Sequence, residues 1–181
     1  MVEKILFIEG TKDDSNGDLR QGFHKLLAQK LSGNMPRIRM GNGITTTIDG
    51  FKNNRLSKHC ILLVDLDAPE AQKDMKLLAY TLLNLKDNVF FMIQEMEAWF
   101  LSQPEILDAF YGDEISKKLS KKKSEDIDRP AEYLSELTKN TRNGSYHKVK
   151  HGVRLLGLLN AHKLEQSSTE FANLIKKLQM V

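Results

Sequence analysis

The stretch Cys60-Ile-Leu-Leu-Val-Asp65-Leu-Asp67-Ala-Pro69-Glu70 decides how this chain folds. Ile61 to Val64 is a short apolar run, the pattern of a strand buried on both faces of a parallel sheet. It stops at two acids one residue apart. Aspartate is a poor strand former and a good helix N-cap, and Pro69 suits the first turn of a following helix. Asp65 and Asp67 are therefore expected at the C-terminal end of a central strand, where ligands bind in open α/β sheets. Two carboxylates so close repel unless a cation or a proton neutralises them. A hard divalent cation with oxygen ligands is the group that suits them. For this stretch alone, one capping and one solvated aspartate is the plainer alternative.

Working outward, the same arrangement recurs. Upstream, Lys4 to Ile8 (KILFI) reads as a first buried strand, and Glu9-Gly10-Thr11 follows it directly. Leu19, Phe23, Leu26, Leu27 and Leu31 have helical spacing, ended by Gly33-Asn34. Arg37 to Met40 alternates basic and apolar residues, as an edge strand does. Gly41 to Gly43 reads as a turn and Thr45 to Asn54 as a helix. Downstream, Met75, Leu78, Ala79, Leu82 and Leu83 form the clearest helical stripe. Val89 to Ile93 (VFFMI) is another buried strand, and it too runs into acids, Gln94-Glu95-Met96-Glu97, where a helix carrying Trp99, Phe100 and Leu101 begins.

The order β-α-β-α-β-α-β predicts a doubly wound, mainly parallel α/β sheet flanked by helices. Right-handed crossovers bring the C-terminal ends of its strands to one side. Three strands then deliver carboxylates to one edge: Glu9, the pair Asp65 and Asp67, and the pair Glu95 and Glu97. That convergence favours a metal site over chance solvation.

The remainder reads as helical: Pro104 to Phe110, a helix opened by Pro130 with Tyr133, Leu134 and Leu137 inward, one carrying Val153, Leu156 and Leu159, and a last one with Phe171, Leu174, Ile175 and Leu178. The chain is expected to form one domain over residues 1–181, an α/β core over about 1–100 and a helical extension over about 101–181. Lys117 to Lys123 (KKLSKKK) reads as a solvated basic loop, with phosphate-backbone contact as the alternative. Ser145 to His151 mixes aromatic and basic residues, and its Lys148 and Lys150 could meet phosphates or could equally be surface lysines.

Composition bounds the function. The 181 residues carry 27 basic and 24 acidic side chains, a formal charge of +3, which neither demands nor excludes a nucleic-acid partner. The single cysteine, Cys60, lies in the apolar strand, so no disulfide framework or thiolate zinc site is on offer. Glu3, Lys4 and Glu9 interrupt the first ten residues, and no apolar run approaches the roughly 20 residues of a membrane span. A cytoplasmic location without membrane contact is expected. The chain lacks the Gly-x-x-x-x-Gly-Lys-Ser/Thr phosphate loop, the Gly-x-Ser-x-Gly elbow and a complete dinucleotide fingerprint. Carboxylates in this pattern suit phosphoryl-transfer chemistry with Mg²⁺ or Mn²⁺.

The acid-glycine turn Ile8-Glu9-Gly10, with Asp13 close behind, and the Asp65-x-Asp67 pair resemble the Toprim domain of topoisomerases, primases and related nucleases. Glu95-Met-Glu97-Ala-Trp-Phe-Leu and Tyr146-His147-Lys148 narrow the resemblance to a bacterial Toprim-like family of uncharacterised domains, often encoded beside an ATPase and linked to phage defence. The resemblance covers most of the chain. It implies Glu9 as acid/base or metal ligand, Asp65 and Asp67 as the metal-binding pair, and Glu95 and Glu97 as a later acidic motif; Lys148 is a further catalytic candidate through the phosphate contact it could make. It departs from the pattern at position 69, where Pro stands in place of a third acid. It implies a Mg²⁺- or Mn²⁺-dependent nuclease acting on nucleic acid with an ATPase partner. The alternatives are a non-catalytic regulatory subunit of an ATPase complex and a small-molecule phosphotransferase.

Overall fold

Alternation within the strands sets the architecture. The structure, a computed structural model, describes residues 3–31, 33–54, 59–112 and 114–180. Four strands, β1 (Lys4–Gly10), β2 (Arg37–Asn42), β3 (His59–Asp65) and β4 (Val89–Met92), form one sheet in the order β2-β1-β3-β4. All three pairings are parallel, and Ile8 stands beside Met40 on one side and Leu63 on the other. Side chains on alternate positions feed two separate cores. Leu6, Ile8, Ile61, Leu63, Phe90 and Met92 face one layer; Ile5, Phe7, Cys60, Leu62, Val64 and Phe91 face the other.

The second layer holds α2 (Ile44–Asn54) and α3 (Lys73–Ala79), which supply Ile48, Phe51 and Leu77. The first holds α1 (Arg20–Ala28) and the C-terminal helices: α4 (Glu97–Leu101), α5 (Pro104–Tyr111), α6 (Pro130–Thr138), α7 (Gly152–Leu158), α8 (Ala161–Ser167) and α9 (Thr169–Met180). The fold is thus α/β with helices on both faces of a parallel sheet. The helical part is not a separate body, since Trp99, Leu134, Leu155 and Leu174 share a core with Ile8 and Leu63. Gly22 of α1 lets α7 approach closely, because a Cβ there would lie 2.7 Å from Val153 O and 2.8 Å from Leu156 Cβ.

The edge strand β4 is covered. Its Phe91 N–H donates to Glu170 Oε2 of α9 at 2.9 Å, and the same carboxylate pairs with Lys73 of α3. A buried acid here satisfies an edge donor that would otherwise invite pairing with another strand.

Three expectations need correction. The stripe Met75, Leu78, Leu82, Leu83 is not one helix face: Met75 is 69% and Leu78 64% exposed, while Leu77 and Leu82 are buried. The helix stops at Ala79 and Thr81 takes a left-handed φ of 54°, which resets the phase before a 3₁₀ turn over Leu83–Asn88. Pro69 does not enter an α-helix: it precedes a 3₁₀ turn, Glu70–Gln72, with no side-chain cap. In α6 the inward residues are Leu134 and Thr138, with Tyr133 and Leu137 only partly covered. One helix, α8, had no sequence expectation; Asn160 caps it by accepting from Lys163 N–H at 3.1 Å.

Candidate functional site

The order in which the chain adds strands reverses between β1 and β3, although the two run parallel. From β1 the chain moves outward to β2, then returns on the other side of β1 as β3. Such a switch point opens a crevice at the C-terminal ends of the two strands, the place where open α/β sheets bind ligands. Glu9, the penultimate residue of β1, and Asp65, the last of β3, lie at this crevice. The Asp65 N–H donates to Glu9 Oε2 at 3.1 Å, so the glutamate reaches across to the neighbouring strand.

Beyond the strands, the two following loops remain stitched together. Leu66 N–H donates to Met92 O at 2.9 Å, Asp67 N–H to Gln94 O at 2.6 Å and Gln94 N–H to Ala68 O at 3.1 Å. Asp67 (φ 55°) and Gln94 (φ 57°) both take the left-handed conformation. Non-glycine residues held there cost energy and gather at functional sites.

Asp65 is 4% exposed. Its Oδ1 accepts Met96 N–H at 2.8 Å and its Oδ2 accepts Lys148 Nζ at 3.1 Å. Asp67 turns outward instead: Lys76 Nζ donates to its Oδ2 at 2.6 Å and to Leu66 O at 3.0 Å. It caps no helix. Glu95 is spent partly on α6, whose Ala131 N–H it accepts at 2.8 Å; Pro130 has no N–H, so Ala131 is the first donor that helix offers. Glu97 is 0% exposed. Its Oε1 accepts Tyr146 Oη–H at 2.7 Å, and its Oε2 has no hydrogen-bond partner.

The electrostatics record surplus negative charge. Burial, then the charges of Asp65 and Asp67, push Glu9 up to about 7, against the Asp65 N–H and Lys76. Burial pushes Glu97 up to about 7, with Asp65 and Glu95 adding to it and Lys148 and Tyr146 opposing. Glu95 is raised as well, chiefly by burial. Lys148 moves up despite its burial, because Asp65, Glu97 and Glu95 surround it. Burial and the adjacent Glu97 likewise hold the Tyr146 phenol well above its ordinary value.

All six residues expected from the sequence, Glu9, Asp65, Asp67, Glu95, Glu97 and Lys148, thus belong to one edge of the fold and influence one another. They are not equivalent. Glu9 and Asp65 meet directly, Lys148 and Glu97 surround Asp65, and Asp67 and Glu95 each have a further partner. Among the described residues no three acid or imidazole groups close into a ready-made metal shell. Two participants escaped the sequence reading as site residues. Tyr146 was singled out only as part of a motif, and Lys76 gave no signal beyond lying nine residues after Asp67.

A family profile described as a domain of unknown function, DUF4276, matches residues 14–179. The chain belongs to the DUF4276 family. The DUF4276 match includes Asp65, Asp67, Glu95, Glu97, Tyr146 and Lys148, while Glu9 lies just before it. No curated protein and no solved structure matches the chain.

The donor set fits a hard cation. Every acidic ligand candidate offers oxygen, as Mg²⁺ and Mn²⁺ prefer. Five carboxylates face two ammonium groups, Lys76 and Lys148, and Glu97 keeps an unpartnered buried oxygen.

Proposed function

We propose that this chain is a Toprim-like, divalent-cation-dependent phosphodiesterase, a nuclease that works beside an ATPase partner in bacterial defence, in the cytoplasm. The observation that carries the reading is the meeting of Glu9 and Asp65 at the switch point of the sheet, in a carboxylate cluster that its own lysines leave under-neutralised. Among the described residues no helix is long and apolar enough to cross a membrane.

Asp65, Glu9 and Asp67 would hold the cation, with Glu97 beside them. When bound, it supplies charge neutralisation on a phosphodiester and activation of a water. Met96 N–H fixes the Asp65 carboxylate from below, and the Asp65 N–H fixes Glu9. Lys148, a third exposed, holds Asp65 Oδ2 and offers an ammonium to a phosphate that displaces it.

Incubation with labelled single- and double-stranded DNA and RNA in Mg²⁺ or Mn²⁺, with and without the ATPase, tests the reading. Cleavage is expected in wild type and absent in Asp65→Asn. A second reading, a non-catalytic regulatory subunit, draws on the pairing of Asp65 with Lys148 and Asp67 with Lys76, which leaves each aspartate already neutralised. It predicts no cleavage of any substrate and no saturable cation binding.

A further inference from the structure

A second cluster of charge lies on the other side of the segment that carries Tyr146 and Lys148. A cavity of about 190 Å³ is lined by Phe110, Arg142, Asn143, Lys150, His151 and Arg154. Among the described residues no acidic side chain lines it. Arg142, Lys150 and Arg154 make no side-chain ion pair or hydrogen bond among the described residues. Cations gathered without counter-charges repel one another, and an anion seated among them relieves that repulsion.

His151 adds a built donor. It is 4% exposed, and its Nδ1 lies 3.2 Å from both the His147 N–H and the Tyr111 hydroxyl. An Nδ1 that accepts the backbone N–H carries no proton, which assigns the ring N–H to Nε2. Nε2 has no protein partner among the described residues, on a ring that borders the cavity. Burial, together with the charges of Lys150, His147 and Arg154, keeps the imidazole pKa low, so this donor is a neutral one.

The rim is braced. Asn143 Nδ2 donates to Phe110 O at 2.6 Å, tying the turn that carries Arg142 to the end of α5. The Arg142 guanidinium lies against Gly112, whose left-handed φ of 70° ends that helix; a Cβ there would sit 3.1 Å from Cζ. Edge-on contacts of Phe110 with Tyr111 and His151, at 4.8 and 5.3 Å between centroids, fix the floor.

The geometry points to a binding site for a phosphomonoester group in this cavity, held by Arg142, Lys150, Arg154 and the Nε2–H of His151. The volume falls below the roughly 300–1,000 Å³ of pockets that enclose a drug-sized ligand, so it suits a phosphate group and not a whole nucleotide. Guanidinium groups match phosphate oxygens in paired hydrogen bonds, and the dianion meets the surplus of positive charge. The site stands on its own residues; its use as an anchor for the phosphorylated end of a strand cut at the acidic crevice rests on the proposed function. One segment serves both, with Tyr146 and Lys148 on the acids and Lys150, His151 and Arg154 on the cavity.

The test titrates inorganic phosphate into wild type, Arg142→Ala/Arg154→Ala and Asp65→Asn by calorimetry, at constant ionic strength with sulfate-free buffer. Both arginines are exposed, so the double variant should keep its metal-free unfolding temperature. Saturable binding by wild type and Asp65→Asn, weakened at least tenfold in the double variant, supports the site, and the Asp65→Asn arm separates it from any failure at the acidic crevice. Oligonucleotides with and without a terminal phosphate then assign the source. A tenfold gain from that phosphate, lost in the double variant, assigns a nucleic-acid end; no gain, with inorganic phosphate still bound, assigns a small phosphorylated molecule. No binding of phosphate by wild type, or equal binding by the double variant, overturns the proposal.

Discussion

Lys148 Nζ lies 3.1 Å from Asp65 Oδ2, although 83 residues separate them in sequence. The pair closes the acidic crevice from the helical side of the fold. It places an ammonium group on the carboxylate that stands at the switch point of the sheet. Lys148→Met removes that charge while keeping most of the stem, leaving a buried aspartate with one backbone donor. The variant should lose about 2 kcal/mol of stability, less than the roughly 3–5 kcal/mol of a fully buried pair because a third of Lys148 is open to solvent. Millimolar Mn²⁺ should restore part of the loss. Thermal unfolding with chelator and with Mn²⁺ measures both effects, and a variant as stable as wild type in chelator would show that the pair contributes nothing.

Glu97 makes the metal-free protein sensitive to pH in an unusual direction. Its pKa rises from 4.5 to about 7 in the fold, so between those values the native state keeps a proton that the unfolded chain has lost. The associated stability is full below pH 4.5 and fades as pH rises through 7. The fully buried side chain bounds the effect at about 3 kcal/mol. Glu97→Gln preserves an acceptor for Tyr146 and should make the decline in unfolding temperature between pH 5 and 8 shallower, with Glu9, also raised to about 7, still adding a slope of the same sign. Identical pH profiles for the variant and wild type would contradict this.

The reset of phase at Thr81 has its own test. Leu77→Ala should cost about 2–4 kcal/mol, because that side chain fills the core under α3. Met75→Lys and Leu78→Lys should each stay within about 0.5 kcal/mol of wild type, since both side chains face solvent. Urea unfolding of the three variants distinguishes this arrangement from the amphipathic stripe that spacing alone suggests.

That stripe marks where sequence reading ends. The strands were legible because burial on both faces leaves uninterrupted apolar runs, as in Ile61 to Val64 and Val89 to Met92. The acids were legible because each follows such a run, and parallel topology brings the ends of all strands to one edge. What each acid does there was not. Asp65 and Asp67 share a motif yet part company, because a left-handed residue at 67 sends its carboxylate out to Lys76 while Asp65 stays under Lys148. Glu95 stands two residues from Glu97, but only the tertiary fold brings Ala131 N–H to one and Tyr146 to the other. Periodicity misplaced α3 because it assumes one continuous helix, and a single left-handed residue breaks that assumption.

We propose that Glu9, Asp65 and Asp67 hold a divalent cation at the switch point of the sheet. Mn²⁺ titration followed by electron paramagnetic resonance tests it most directly, with wild type, Asp65→Asn and Glu9→Gln measured at equal protein concentration. The account predicts saturable binding by wild type, weakened at least tenfold in each variant, with Mg²⁺ competing for the same place. Undiminished Mn²⁺ binding by Asp65→Asn, or none by wild type, would contradict it.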